Sequence, residues 1–102
     1  MVKKGQPVIA WDKAALTSLQ KAFEYIKQDS PQNALKVRDS ILKIVRSLPN
    51  HPLKFPPDKF KNNNTGSYRA FEKYSLRVAY RVSSKEIKIL RIRHVKQEPK
   101  SY

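Results

Sequence analysis

The first half of the chain carries apolar residues at helical spacing. Four large ones recur every three or four positions and form a single stripe: Leu16, Leu19, Phe23 and Ile26. Asp12 stands where an N-cap is needed, and the preceding residues 7–11, PVIAW, are typical of a short strand. The pattern therefore predicts a strand followed directly by an amphipathic helix.

A second apolar stripe follows the sequence QDSP. It consists of Ala34, Val37, Ile41, Ile44, Val45 and Leu48. Ser30 suits an N-cap and Pro31 the first helical position, whereas Pro49 ends the helix. Because only three or four residues join the two predicted helices, we expect an antiparallel hairpin whose stripes pack into the core.

The last third of the chain alternates between apolar and polar residues, as strands do. It predicts strands at 67–73, 75–83 and 86–94, with a tight turn at 83–85. In the middle strand an apolar face opposes a face with arginine: Leu76, Val78, Tyr80 and Val82 against Arg77, Ala79 and Arg81. Strict alternation divides the last strand into Ile87, Ile89, Arg91 and Arg93 on one face and Leu90, Ile92 and His94 on the other. Which of these two faces meets a ligand stays open.

Between helices and strands, residues 49–66 contain four prolines and three consecutive asparagines, which is loop chemistry. The whole pattern predicts an α+β fold over one domain, residues 1–102. Its elements are an N-terminal strand, an antiparallel helix hairpin and a three-stranded antiparallel meander in one small sheet, followed by a short basic C-terminal tail.

Composition excludes several kinds of chemistry. The 102 residues include no cysteine, which rules out disulfides, thiol catalysis and cysteine-bound zinc, and two histidines are too few for a histidine-rich metal centre. We therefore predict no metal and no cofactor. The chain begins without an apolar signal core, and no apolar run is long enough to span a membrane. A cytoplasmic location is expected.

The charge is strongly positive. Lysine and arginine number 22 against 8 acidic residues, a formal net charge of +14. The second half holds most of it, because residues 52–102 contain thirteen basic and four acidic side chains against nine and four in residues 1–51. Such a field favours a polyanionic or acidic partner. Neither predicted helix is especially basic, so a membrane surface is not expected to be that partner.

The order of elements and several stretches resemble the RelE/ParE superfamily of toxins from bacterial type II toxin–antitoxin systems. The stretches are WDKAALTSLQKAFEYI, SPQNALKVRDSI, TGSYRAFEKYSLRVAYRV and ILRIRH. The resemblance covers nearly the whole chain. It implies a RelE-like fold, growth arrest or plasmid stabilisation as the biological effect, and an acidic cognate antitoxin as partner.

One segment, PDKFKNNNTGSYRAFEKYSLRVAY, is similar without gaps to the YoeB-like ribonuclease branch. The similarity places Asp58 on a catalytic acidic position and Arg77 on a catalytic arginine. His94 falls within one residue of a catalytic histidine, and Tyr102 is similar to a functional tail tyrosine of RelE. The sequence departs from that branch in two ways. It has aspartate in place of glutamate at the acidic position, and its tail runs eight residues past His94. The helix hairpin with its SP sequence is equally similar to ParE members, which bind and poison DNA gyrase and cleave no RNA.

The chemistry of these side chains suits RNA cleavage through the RNA's own 2′-hydroxyl. Arg77 can clamp a phosphate in bidentate fashion, and His94 can donate a proton to the leaving 5′-oxygen. Asp58 could act as base, orient His94, or cap a turn after Pro56-Pro57. Tyr102 could stack on a base or belong to an unordered tail. Other basic residues would bind the nucleic-acid backbone: Lys59, Lys61, Arg69, Arg81, Arg91, Arg93 and Lys96.

Three functions follow as hypotheses. The first is an mRNA endoribonuclease (an mRNA interferase) that acts on the ribosome and is held in check by an antitoxin. The alternative is a non-enzymatic inhibitor of DNA gyrase. The third is a plain basic RNA-binding module, which lacks the exposed aromatic pair of a base-stacking sheet because Tyr80 falls among the apolar residues.

Overall fold

The computed structural model describes residues 6–95 and 101–102. Its elements in chain order are β1 (Val8–Trp11), α1 (Lys13–Asp29), α2 (Pro31–Ser47), a single 3-10 turn (Leu48–Asn50), β2 (Tyr68–Lys73), β3 (Leu76–Val82) and β4 (Glu86–His94). The predicted α+β fold is confirmed, with every predicted helix and strand present. Within the described part of the chain, no helix has the length and apolar character that crossing a bilayer requires.

The two helices begin at the capping residues that the sequence marks. The carboxylate of Asp12 accepts a hydrogen bond from the Ala14 N–H, and the hydroxyl of Ser30 accepts one from the Asn33 N–H. Ser30 also ends α1, because its own N–H donates to the Ile26 carbonyl. A single residue therefore joins the helices, fewer than the three or four expected.

The four strands form one sheet in the order β1-β4-β3-β2. Strands β2, β3 and β4 make the predicted antiparallel meander. Strand β1 pairs in parallel with β4, with Ile9 opposite Ile87 and Trp11 opposite Ile89. The sheet is therefore mixed. The helix hairpin and the loop after it connect β1 at one edge of the sheet to β2 at the other edge.

The helices cover one face of the sheet and build the core there. Its buried residues come from both helices and from three strands, including Leu19, Val37, Ile41, Val45, Val78, Tyr80, Ile87, Ile89 and Ile92. Tyr80 has no exposed surface, and burial raises its pKa to about 12. It cannot stack on a nucleotide base from this position, as the apolar register predicted.

Strand β4 contains one residue more than its partner. Ala79 pairs with Arg91, whereas the next residue, Tyr80, pairs with Ile89. Leu90 is thus the extra residue of a β-bulge. Because side chains alternate across a strand, one inserted residue moves every later side chain to the opposite face.

The bulge overturns the strict alternation expected for this strand. Arg91 and Arg93 do not share a face with Ile87 and Ile89. Arg93 instead pairs with Arg77, and both arginines of β4 lie on the sheet face turned away from the helices. We call this second face the open face. The structure thereby answers which side of β4 carries its cations.

Candidate functional site

The predicted loop folds over the open face, and Asn64 holds it in shape. Its amide nitrogen donates to the carbonyls of Asp58 and Tyr68, at 3.3 and 2.7 Å. Its amide oxygen accepts from the N–H groups of Gly66 and Tyr68, at 2.9 and 3.2 Å. One side chain thus satisfies four backbone groups, two in the loop and two at the start of β2. The three asparagines indicated a loop but gave no sign of this role.

Arg69 also stabilises the loop. Its guanidinium donates to the carbonyls of Phe55 (2.7 Å), Gly66 (3.0 Å) and Leu53 (3.4 Å). Arg69 thus ties the loop together through three backbone carbonyls. Nucleic-acid binding by its remaining N–H groups stays a prediction.

Asp58 lies at the centre of the loop and is only 2% exposed. Its Oδ1 accepts from the Phe60 N–H at 3.1 Å and from Arg77 Nη2 at 2.7 Å, and its Oδ2 accepts from the Tyr102 hydroxyl at 2.6 Å. Burial by itself would raise the pKa of Asp58. The hydrogen bonds from Tyr102, Arg77 and the Phe60 N–H outweigh burial and lower this pKa below its ordinary value. The carboxylate both caps the local turn and anchors two of the predicted site residues.

Arg77 is fixed between two carboxylates. Besides Asp58 it contacts Glu72, with 2.8 Å between Arg77 Nη1 and Glu72 Oε2, and its guanidinium carbon lies 4.8 Å from the centre of the Phe60 ring. Burial alone would lower the pKa of Arg77, but the bonds to Asp58 and Glu72 raise it. Glu72 was not predicted from the sequence. A hairpin register drawn through a two-residue turn at 74–75 would have placed it opposite Arg77.

Tyr102 packs against the loop. Its N–H donates to the Phe60 carbonyl at 2.9 Å, and its carbonyl accepts from the Asn62 N–H at 2.6 Å. The Arg91 guanidinium carbon lies 4.1 Å from the centre of its ring. Burial, together with the bond to Asp58, raises the pKa of the phenol above its ordinary value near 10. This shift disfavours the phenolate that a base would need.

A cavity of about 230 Å³ opens beside these contacts. Its lining consists of Lys59, Phe60, Glu72, Arg77, Ala79, Arg91, Arg93, His94 and Val95. Five residues named from the sequence meet here: Lys59, Arg77, Arg91, Arg93 and His94. The bulge is what turns the two arginines of β4 to this face. We call this space the cationic cavity.

The remaining predicted contacts lie outside the lining of this cavity. The ammonium of Lys61 lies 4.7 Å and the guanidinium carbon of Arg81 5.9 Å from the centre of the Tyr68 ring. Lys96 lies outside the described residues. No three carboxylate, imidazole or thiol side chains within residues 6–95 and 101–102 are grouped so that they could hold a metal ion.

Replacement of Tyr102 by phenylalanine should weaken the loop. The change removes a hydrogen bond to a buried carboxylate and should therefore lower the free energy of unfolding by about 1.5–3 kcal/mol at neutral pH. A folded pKa below the ordinary value means that Asp58 stabilises the fold above pH ~4 and loses this contribution as the pH falls through its folded pKa. In Tyr102→Phe that pKa rises, so the acid-induced loss should be smaller and should be complete at a higher pH.

Denaturant unfolding between pH 2 and pH 7 measures both effects. Tyr25→Phe is the matched control, since Tyr25 is 70% exposed on α1. Equal stability of Tyr102→Phe and the parent protein across this range would contradict the assigned contact.

A model of the ParE toxin of type II toxin–antitoxin systems (parDE) matches residues 9–99, nearly the whole chain. The chain belongs to the ParE toxin family. It is thus a type II toxin of the RelE/ParE superfamily, as the sequence resemblance indicated. A search of curated protein sequences finds no significant match.

Solved structures of other ParE and RelE relatives share the fold. A ParDE system of P. aeruginosa is 23% identical, with a TM-score of 0.68 and coverage of 89% of this chain and 98% of that one. The RelBE2 toxin–antitoxin complex of M. tuberculosis is 15% identical (TM-score 0.60, coverage 92% and 97%). A YoeB dimer of S. aureus is 18% identical (TM-score 0.57, coverage 87% and 97%). Two of these are toxin–antitoxin systems or complexes by name.

Proposed function

We propose that this ParE family toxin is an mRNA endoribonuclease that acts on the ribosome and cleaves through the RNA 2′-hydroxyl. The observation that supports this most is the cationic cavity. It brings together Arg77 and His94, which the ribonuclease resemblance had named separately, and surrounds them with three further cations. A phosphodiester held there would meet a charge stabiliser and a proton donor at once.

Arg77 is the group that stabilises charge on the phosphate. The 2′-oxygen attacks phosphorus, and negative charge develops on the non-bridging oxygens. A guanidinium held by two carboxylates and an aromatic ring is preorganised for this charge, because it needs no reorientation during the reaction. Lys59, Arg91 and Arg93 would bind the neighbouring phosphates.

Two protons move in this reaction. The new bond joins the 2′-oxygen to phosphorus, and the bond from phosphorus to the 5′-oxygen breaks. His94 donates the proton that the 5′-oxygen needs. Glu72 accepts the 2′-hydroxyl proton, because its side chain is 51% exposed and lines the cavity, whereas that of Asp58 is buried and does not line it. Asp58 is a positioning residue for Arg77 in this scheme.

A second candidate is inhibition of DNA gyrase by binding. The family match to ParE favours it, and so does one structural observation. Asp58, Arg77 and Tyr102 satisfy one another through direct hydrogen bonds, as side chains with a purely structural role would do. The cationic open face would then contact an acidic surface of the enzyme.

A two-armed assay separates the candidates. Purified toxin is added to a translating extract programmed with one mRNA, and in parallel to a gyrase supercoiling reaction. We expect shortened mRNA and unchanged supercoiling. Intact mRNA together with blocked supercoiling would establish the second candidate.

In cells, expression of the toxin alone should arrest growth, and its antitoxin should relieve the arrest.

The cations of the loop should control the salt dependence of RNA binding. Each phosphate neutralised contributes to the slope of log affinity against log salt concentration, by roughly 0.7 per contact for a single strand. The double variant Lys59→Ala/Lys61→Ala should reduce the magnitude of that slope by the amount expected for about one to two phosphate contacts. It should weaken binding without abolishing cleavage. Lys27→Ala/Lys43→Ala, with the same charge change on exposed helix positions, is the control. Equal slopes for the two double variants would show that the loop does not contact RNA.

A further inference from the structure

Phe60 gives the cationic cavity its one large apolar surface among the described residues. Charged side chains dominate the rest of the lining, and Ala79 contributes only a methyl group between them. Binding of a phosphate needs positive charge and hydrogen-bond donors, which an aromatic ring does not supply. The ring therefore indicates that a second, apolar part of the ligand enters this cavity.

The loop fixes Phe60 through its backbone. Its N–H donates to Asp58 Oδ1 at 3.1 Å, and its carbonyl accepts from the Tyr102 N–H at 2.9 Å. The ring centre lies 4.8 Å from the Arg77 guanidinium carbon. Arg77 has two carboxylate partners besides the ring, so the ring is not required to orient it. The ring adds a fixed apolar surface directly beside the group that we assign to the phosphate.

Two tyrosines near the loop make other contacts. The Tyr102 hydroxyl bonds to Asp58, and the Arg91 guanidinium carbon lies 4.1 Å from the centre of the Tyr102 ring. The Tyr68 ring contacts Tyr102 edge to face, with 6.1 Å between ring centres. Neither tyrosine lines the cavity. The sequence suggested base stacking for Tyr102, but at this cavity the available aromatic surface is that of Phe60.

The cavity is large enough for a flat heterocycle. A cavity of about 150 Å³ holds a benzene molecule, and this one measures about 230 Å³. The Lys59 ammonium lies 5.2 Å from the centre of the Phe60 ring, but this side chain is long and exposed. It can turn to a phosphate while a base takes its place on the ring. Unpaired bases stacked on aromatic side chains are typical of single-stranded RNA recognition.

From these observations we propose that Phe60 is the base-stacking residue of the cationic cavity and binds the base of a nucleotide next to the scissile phosphate. This inference deepens the proposed ribonuclease function and rests on it. A base reaches the ring only after it leaves its neighbours in the strand, so the site selects unpaired RNA. Purines have the larger π-face, and a purine at this position should therefore be preferred.

One change in the protein and one in the RNA together test this contact. Phe60→Leu keeps an apolar side chain beside Arg77 but removes the aromatic face. On ribosomes programmed with normal mRNA, the toxin concentration that gives half-maximal single-turnover cleavage should rise about tenfold or more. Phe60→Trp should stay close to the parent, because it retains an aromatic face.

Each of the two nucleotides at the cut is then replaced in turn by an abasic ribonucleotide. At one of these positions the parent protein and Phe60→Leu should need the same concentration, because the base that distinguishes them is gone. Phe23→Leu is the matched control. The Phe23 ring is also half-buried and lies 5.0 Å from an arginine, Arg38, but it does not line the cavity. Cleavage of every RNA by this variant should match the parent.

Thermal melting ensures that only folded variants are compared. Unchanged cleavage of normal mRNA by Phe60→Leu would overturn the proposal. So would a loss of equal size on normal mRNA and on both abasic RNAs, because the ring would then act through Arg77 alone. If the parent protein leaves normal mRNA intact, the ribonuclease function itself fails. The two failures are thereby distinguished.

Discussion

Replacement of Arg77 by alanine should slow mRNA cleavage by about a hundred- to thousandfold, which corresponds to about 2.7–4 kcal/mol of lost stabilisation of the developing charge. Asp58, Glu72 and the Phe60 ring hold the guanidinium at the wall of the cationic cavity, and its side chain is only 15% exposed. A group fixed in this way stabilises the transition state without reorientation. Arg77→Lys should recover little, because an ammonium cannot bond both carboxylates as a planar fork.

Loss of Arg77 also removes the partner of a buried carboxylate, so folding has to be measured beside cleavage. Single-turnover rates are therefore taken at a temperature well below the Tm of each variant. Arg81→Ala is the control, because Arg81 lies on the same strand and face, is exposed and does not line the cavity. A folded Arg77→Ala variant that cleaves at the parent rate would contradict the assigned role.

Replacement of His94 by alanine should lower the cleavage rate by a factor on the order of 10²–10⁴, the usual contribution of a general acid. His94 lies at the exposed end of β4, outside the core, so the fold should persist. His51→Ala is the matched control, since the other histidine is exposed in the loop and does not line the cavity.

Substrate chemistry distinguishes proton donation from a structural effect of His94. An RNA with sulfur in place of the 5′-bridging oxygen has a leaving group that needs no proton. The His94→Ala variant should cleave this RNA nearly as fast as the parent protein does. A deficit of equal size on both substrates would exclude His94 as the acid.

Local signals were sufficient to predict the elements of the fold. Asp12 and Ser30 cap the two helices as expected, because capping depends on one side chain and its nearest N–H groups. The partner of β1 could not be predicted, since its pairing with β4 joins residues separated by most of the chain. The bulge at Leu90 was also missed. Nothing in ILRIR marks the extra residue, and only the pairing with β3 reveals it.

The candidate site was predictable in part. Arg77, His94 and Lys59 were named before the structure brought them to one cavity, because a strand register and a family resemblance identify them. The bond from Tyr102 to Asp58 depends on how a long loop folds over the sheet, and so does the role of Asn64. Alternation along β4 predicted the wrong face for Arg91 and Arg93. Tertiary contacts decide these features, and local sequence does not contain them.

The proposed chemistry can be tested with one mRNA sequence prepared in two forms. The toxin is added under single-turnover conditions to ribosomes programmed with an mRNA whose cut site carries either the normal 2′-hydroxyl or hydrogen at that position. We expect cleavage of the first mRNA alone, with a 2′,3′-cyclic phosphate at the new end, because the attacking group is the RNA's own 2′-oxygen. Equal cleavage of both mRNAs, or no cleavage of either by toxin that still blocks gyrase supercoiling, would show that this protein is not a ribonuclease of the proposed kind.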